Sequence, residues 1–257
     1  MRRSSAAAST SRRILLAAIA LAGAAGCSAR ARGMNQPGAA GPAAPGGAQA
    51  QAAPVQVPNL WDTQTAIDGW IRSGRWEAEV AAVTAQAGAW LEERGKAVVK
   101  PALVLDVDET ALSNWEALRA NRWARIVDGP CNLERGPCGL REWQKQGRAP
   151  AVRPVLALAR RARELGIAVF FVVTRPPELL DATRRNLREQ GYAFEEVIGP
   201  PAGAKFSSAA EFKVGARRDL INRGYNIVAA VGDQASDLNG GFAERVYKLP
   251  NPVYVIR

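Results

Sequence analysis

The sequence predicts an α/β fold in which a parallel sheet carries helices on both faces and a small cap is inserted after the first strand. Three observations carry that reading. Short apolar runs of strand length recur at 101–105, 167–173 and 227–231. Segments with apolar residues at helical spacing, 155–165, 179–190 and 209–223, alternate with them. Strand alternating with helix is the pattern of a parallel sheet covered on both sides. Each of the three runs also ends on acids or a threonine, and in open parallel sheets the ligand site lies beyond the carboxyl ends of the strands.

Ahead of this pattern the chain divides into an address and a tether. Arg2, Arg3, Arg12 and Arg13 precede the apolar run 14–26, too short for a stable membrane span. The run closes on Ala24-Ala25-Gly26-Cys27, which resembles a lipobox with Ala24 where Leu is usual. This predicts a signal peptide over 1–26, a lipidated Cys27 and residence at a bacterial cell envelope, as a periplasmic or outer-membrane lipoprotein. The alternative is plain secretion after cleavage at Ala31, in Ala29-Arg30-Ala31. Residues 27–58, rich in Gly, Ala, Pro and Gln, read as a flexible tether, and the domain occupies 59–257.

Within the domain, 61–73 and 76–94 show helical spacing, with Gly74 between them. The stretch from about 111 to 150 breaks the strand–helix rhythm. It is polar and carries Trp115, Trp123, Trp143, Cys131 and Cys138, so it reads as the inserted cap. The tryptophans can stack on a ring of the substrate or pack inward. A Cys pair on a Pro/Gly-rich loop of an exported chain predicts a disulfide. A zinc site is the alternative, but the chain has no His to complete one.

Composition narrows the partners. With 47% hydrophobic and 23% charged residues, the chain is globular rather than disordered. Its formal charge is +10, of which the four leader arginines named above supply a large part. The remaining basic bias suits an anionic small molecule, and no basic run is interleaved with aromatics as a nucleic-acid polymer would favour.

The acids form the chemical signal. Asp106 and Asp108 stand two residues apart just past the first run, in Asp106-Val107-Asp108-Glu109-Thr110. One can be a nucleophile that accepts a phosphoryl group, the other a general acid on the departing oxygen. Thr174 follows the second run and can donate to a phosphate oxygen, or simply cap the next helix. Lys213 supplies a cation for phosphate, with Lys205 the competing candidate. Asp233 and Asp237 follow the third run, four residues apart, and reach one face if the segment turns helically. Four acids converging at one sheet edge repel one another without a cation, and carboxylate oxygens are the ligands Mg²⁺ favours.

In their order, Asp106-x-Asp108-x-Thr110, Thr174, Lys213 and Gly232-Asp233-x-x-x-Asp237 resemble the four motifs of haloacid dehalogenase (HAD) superfamily phosphatases. The stretches 105–114, 232–238 and 248–254 are similar to the acid phosphatase branch, subfamily IIIB. That branch includes class C acid phosphatases, lipoprotein 5′-nucleotidases and vegetative storage proteins. The resemblance covers about 60–257 and implies a Rossmann-like HAD fold. It also implies an Mg²⁺-dependent phosphatase acting on phosphate monoesters, nucleoside monophosphates among them, through an aspartyl-phosphate. Asp106 is then the nucleophile and a metal ligand, and Asp108 the acid/base, touching metal only through its backbone carbonyl. Thr174 and Lys213 bind phosphate, Asp233 binds the metal and Asp237 supports its shell. A phosphotransferase using the same intermediate, or a non-catalytic storage or phosphate-binding protein, are the alternatives. Relatives often carry Thr-Gly-Arg-Pro or Thr-Asn-Arg after the second strand. Here Thr174-Arg175-Pro176-Pro177 shifts the Arg by one, leaving Arg175 without an assigned role.

Overall fold

A computed structural model describes residues 57–256. The leader, Cys27 and nearly all of the tether lie outside the described residues. Helices α1 (Leu60–Arg72) and α2 (Arg75–Arg94) come first, then strand β1 (Pro101–Leu105). Two short helices, α3 (Trp115–Ala120) and α4 (Leu140–Gln146), lie in the inserted stretch, followed by α5 (Arg153–Glu164) and β2 (Ala168–Val172). A 3₁₀ turn, Pro177–Leu179, leads into α6 (Leu180–Glu189) and β3 (Glu196–Ile198). The chain ends with α7 (Ala209–Asn222), β4 (Asn226–Gly232), α8 (Ala235–Leu238) and β5 (Arg245–Lys248).

All the strand pairings are parallel, in the order β3-β2-β1-β4-β5, so the central strands β1 and β4 are the first and third runs of the sequence pattern. Their near-continuous apolar character follows from burial on both faces. Alternate side chains sort to opposite sides: Leu103, Leu105, Val169 and Phe171 join one core, Ala102, Val104, Phe170 and Val172 the other. The first core takes in α2 and α5, through Leu91, Val155 and Leu158. The second is closed by α7 through Phe212, Ala216 and Leu220. The α/β architecture expected from the sequence is thus the one observed.

The inserted stretch joins the first core directly. Trp115, Leu118, Leu140 and Trp143 are buried within it, and Trp76, Trp115 and Trp123 meet edge to face. The insertion's tryptophans therefore take the packing role. Cys131 and Cys138 are joined as a disulfide, which removes the zinc alternative. Asn121 fixes this loop from inside, its Oδ1 accepting from the Cys138 N–H and its Nδ2 donating to the Cys138 carbonyl. Among the described residues, no helix is long and apolar enough to cross a membrane.

Candidate active site

The carboxyl ends of β1 and β4 converge on one narrow cleft of about 50 Å³. It is lined by Asp106, Asp108, Thr174, Lys213, Asp233 and, from the chain's end, Tyr254. The five residues that the sequence singled out at this edge thus share one cavity, and Asp237 stands directly behind it, bonded to Lys213.

Asp106 is placed by the ladder itself, because its N–H still donates to Val231 O (3.0 Å). Beyond it the chain turns sharply. The N–H groups of Ala111 and Leu112 both return to Val107 O at 3.0 and 2.8 Å, with Glu109 at a positive φ of 55°. This turn carries Asp108 off the strand line and toward the insertion. At the end of β4, Gly232 permits the second acid pair to close up. A Cβ at this position would lie 2.3 Å from the Cβ and Oδ2 of Asp237, so no side chain fits there. Asp237 then caps its own turn, with its Oδ2 accepting from the Gln234 N–H (2.8 Å). Gly232→Ala must push Asp237 away. Overpacking of this kind costs about 1–3 kcal/mol, which a thermal unfolding curve reads, and the variant's metal affinity should fall with it.

Lys213, early in α7, is buried and reaches both the end of β1 and helix α8. Its Nζ donates to Asp106 Oδ1 at 2.6 Å and also to Asp237 Oδ1. Lys205 is exposed, so the geometry selects Lys213 between the two candidates. Thr174 stands exposed on the cleft rim, whereas Val173 before it is buried, its N–H donating to Ile198 O. Arg175 turns inward. It is buried and forks onto Asp108, with Nη2 to Oδ1 at 2.7 Å and Nε to Oδ2 at 3.2 Å.

Carboxylate oxygens of Asp106, Asp233 and Asp237 lie within 4.8 Å of one another. An all-oxygen, multiply anionic set in a buried site fits a hard divalent cation such as Mg²⁺. The Asp108 carboxyl is outside that group, held by Arg175, by Asn114 Nδ2 (2.8 Å) and by Gln144 Nε2 (3.2 Å).

Electrostatics separates the two acids of the first motif. Burial, and then the neighbouring charge of Asp237, push Asp106 well above the ordinary carboxylate value, against the pull of Lys213. Burial also works to raise Asp108, but the charge and hydrogen bonds of Arg175, with Asn114, more than offset it and hold that carboxyl below its ordinary value. Asp233 is raised to about 6 by burial and Asp237, and Glu109 to about 8 by burial and Asp108. Lys213 is shifted up despite burial, because Asp106 and Asp237 both favour its charge.

These shifts set a stability profile. A buried acid with a raised pKa binds more protons folded than unfolded, so stability falls as pH rises from the unfolded value through the folded one. For Asp233 and Glu109 that window runs from about pH 4 to about pH 8. Lys213, raised above its ordinary 10.5, contributes equally throughout it, and lowered Asp108 acts only below it. Metal-free protein should therefore unfold at lower temperature at pH 8 than at pH 5.5, and millimolar Mg²⁺ should narrow the gap. Calorimetry with and without EDTA reads both.

Several contributors carried no assigned role in the sequence. Asn251 Nδ2 donates to Asp233 Oδ2 (2.6 Å), and Gln234 Nε2 donates to the same oxygen (2.5 Å). The Tyr254 hydroxyl bonds Glu109, whose other oxygen accepts from the Asn114 N–H (2.7 Å). Asn251 and Tyr254 belong to the 248–254 stretch, and Asn114 to 105–114. The signal was present as similarity, but only folding shows what these side chains hold.

Comparison with known proteins identifies the family and the fold. A sequence profile described as HAD superfamily, subfamily IIIB (acid phosphatase), matches residues 46–257. The "Stem 28 kDa glycoprotein" of Glycine max is 38% identical over 120 residues, 45% of this chain and 47% of that protein. "Acid phosphatase 1" of Solanum lycopersicum is 31% identical over 155 residues, 60% of this chain and 58% of that protein. The chain spans about half the length of the curated relatives it matches. The class C acid phosphatase from Bacillus anthracis shares the fold, with a TM-score of 0.60 at 22% identity, over 76% of this chain and 86% of that one. The profile match extends over most of the sequence, and the chain belongs to the HAD superfamily, subfamily IIIB, the acid phosphatase subfamily.

Proposed function

We propose that the protein is an exported, Mg²⁺-dependent acid phosphatase that hydrolyses small phosphate monoesters through an aspartyl-phosphate on Asp106. The observation that carries this reading is the contrast between the two acids of one motif. Asp106 lies in a buried anionic group with Lys213, while Asp108, two residues on, is withdrawn from that group and hydrogen-bonded on its own.

Asp106 and Asp233, with the backbone carbonyl of Asp108, would hold the cation, and Asp237 would support its shell. Bound there, Mg²⁺ supplies charge neutralisation that lets a carboxylate approach a phosphate. A carboxylate oxygen of Asp106 attacks phosphorus, forming the O–P bond as the ester O–P bond breaks. Lys213 and Thr174 hold the phosphoryl oxygens, Lys213 by charge and Thr174 by its hydroxyl at the cleft rim. Asp108 rests ionised beside Arg175, and the approach of an anionic phosphate raises its proton affinity, so that it takes up one proton from solvent as the substrate binds. It passes that proton to the leaving alkoxide. It then takes a proton from the water that attacks phosphorus, releasing phosphate and restoring Asp106. The small polar cleft favours compact organic phosphates, and the family resemblance favours nucleoside monophosphates among them.

The disulfide supports export, as does the leader. Mass spectrometry of the native N-terminus separates acylated Cys27, expected of an envelope lipoprotein, from a start beyond Ala31, expected of a secreted protein.

The functional test is phosphate release from p-nitrophenyl phosphate and from nucleoside monophosphates, with Mg²⁺ or with EDTA. Release that stops in EDTA and returns with Mg²⁺ is expected. No release by purified protein would sink the reading in favour of a storage protein, the role that two curated relatives' names carry. Phosphate appearing mainly on an added alcohol would make it a phosphotransferase.

A further inference from the structure

We infer that Arg175 is a positioning residue for Asp108, and that together with Asn114 and Gln144 it leaves Oδ2 as the oxygen of that carboxyl that exchanges protons with the leaving group. The inference rests on the phosphoryl-transfer reading above and assigns a part of it to this chain's own residues. A carboxylate has about four lone-pair sites, two on each oxygen. Oδ1 of Asp108 accepts from three donors: Arg175 Nη2 at 2.7 Å, Asn114 Nδ2 at 2.8 Å and Gln144 Nε2 at 3.2 Å. It is saturated. Oδ2 receives one longer bond, from Arg175 Nε at 3.2 Å, and keeps capacity for a proton.

The donors are themselves fixed. Arg175 Nη1 donates to Thr183 Oγ1 (2.8 Å), and that hydroxyl donates to Leu179 O (2.8 Å). The guanidinium is thus tied at both ends, with a side chain only 2% exposed. Asn114 Oδ1 accepts from the indole N–H of buried Trp143 (3.0 Å), which precedes Gln144 in α4. Asp108 is therefore a junction between the β1 turn, the β2 turn and the insertion. Rotation of its carboxyl toward the Asp106, Asp233 and Asp237 group would break these bonds, so the same contacts keep it from becoming a further side-chain metal ligand. Arg175 does not line the cleft. It meets Asp108 from the protein side, and its effect on a substrate passes through that carboxyl. A bidentate fork of this kind fixes orientation as well as charge.

The test compares Arg175→Ala and Thr183→Val with the wild type on two substrates, p-nitrophenyl phosphate and an unactivated alkyl phosphate such as glycerol phosphate. Because kcat/KM reports the first transfer whatever limits turnover, it isolates the step in which the leaving group is protonated. A poor leaving group needs the acid and a good one hardly does. Arg175→Ala should lower kcat/KM for the alkyl ester by about 100-fold, the low end of what a positioned acid contributes, and for the nitrophenyl ester by less than about tenfold. The inhibition constant of inorganic phosphate should stay within about threefold, since phosphate is held elsewhere. Added guanidinium should restore the alkyl ester preferentially. Thr183→Val keeps the charge and removes its anchor, so it should show the same selectivity at smaller size. It also decides the matter if Arg175→Ala fails to unfold cooperatively. Equal losses on both esters, a matching rise in the phosphate inhibition constant, or no loss in either variant would overturn the inference. An inactive wild type would instead sink the functional reading beneath it.

Discussion

Asp106→Asn should abolish phosphate release, with kcat down by on the order of 10⁴ or more, because no other group can take its place as nucleophile. The fold should survive. Within the buried anionic group Asp106 is disfavoured as an anion, through burial and then the charge of Asp237. An amide of the same shape removes that repulsion, and Lys213 retains Asp237 as its partner. In EDTA at neutral pH the variant's unfolding temperature should equal or exceed that of the wild type. Lost activity with an undiminished melting temperature separates a chemical role from a structural one, and steady-state kinetics with calorimetry reads both. A variant that retains most of its activity would remove Asp106 from the mechanism.

Lys213→Met should have the second largest effect, and on both quantities. Lys213 is the cation in direct contact with Asp106 and Asp237, all three buried. Removing one partner of a buried ion pair leaves uncompensated charge and costs about 3–5 kcal/mol. In metal-free protein that cost should be largest at high pH and shrink toward acid, where the carboxylates take up protons. Mg²⁺ should restore much of the stability but not the activity. The loss of a charge aimed at the phosphoryl oxygens should lower kcat by about 10²–10³. Lys213→Arg should not rescue, because a planar guanidinium cannot enter a site where one ammonium sits 2.6 Å from Asp106 and also contacts Asp237. Equal stability of Lys213→Met and wild type in EDTA would show that this ion pair does not hold the site together.

The sequence revealed most about elements whose residues announce their burial. Strands β1, β2 and β4 are apolar runs because both faces are covered, and all three were legible within a residue or two. The edge strands were not. β3 has three residues, and β5, Arg-Val-Tyr-Lys, is mostly exposed, so neither shows an apolar run or a clean alternation. The six- and seven-residue helices α3 and α4 are too short for a period to show, and the insertion that contains them read only as an interruption. The site divides in the same way. Asp106, Asp108, Asp233 and Asp237 stand at strand ends and could be read there. Arg175, Asn114, Gln144 and Asn251 act by reaching across the fold, from 6 to 67 positions away from the acids they hold. Nothing in local spacing brings such residues together; the packing of the insertion and the tail against the sheet does. The Thr-Arg order at 174–175, an irregularity in the sequence, has a local consequence in the structure: Thr174 faces the cleft rim while Arg175 turns to Asp108.

The proposed mechanism requires that Asp106 carry the phosphoryl group. Acid quenching during turnover of a slow substrate with Mg²⁺, followed by borohydride reduction, converts an acyl phosphate on aspartate to homoserine, which peptide mass spectrometry locates. Conversion at position 106, absent without substrate and absent in Asp106→Asn, is the expected result. A protein that turns over substrate with no conversion at 106, or with conversion at another aspartate, would contradict it.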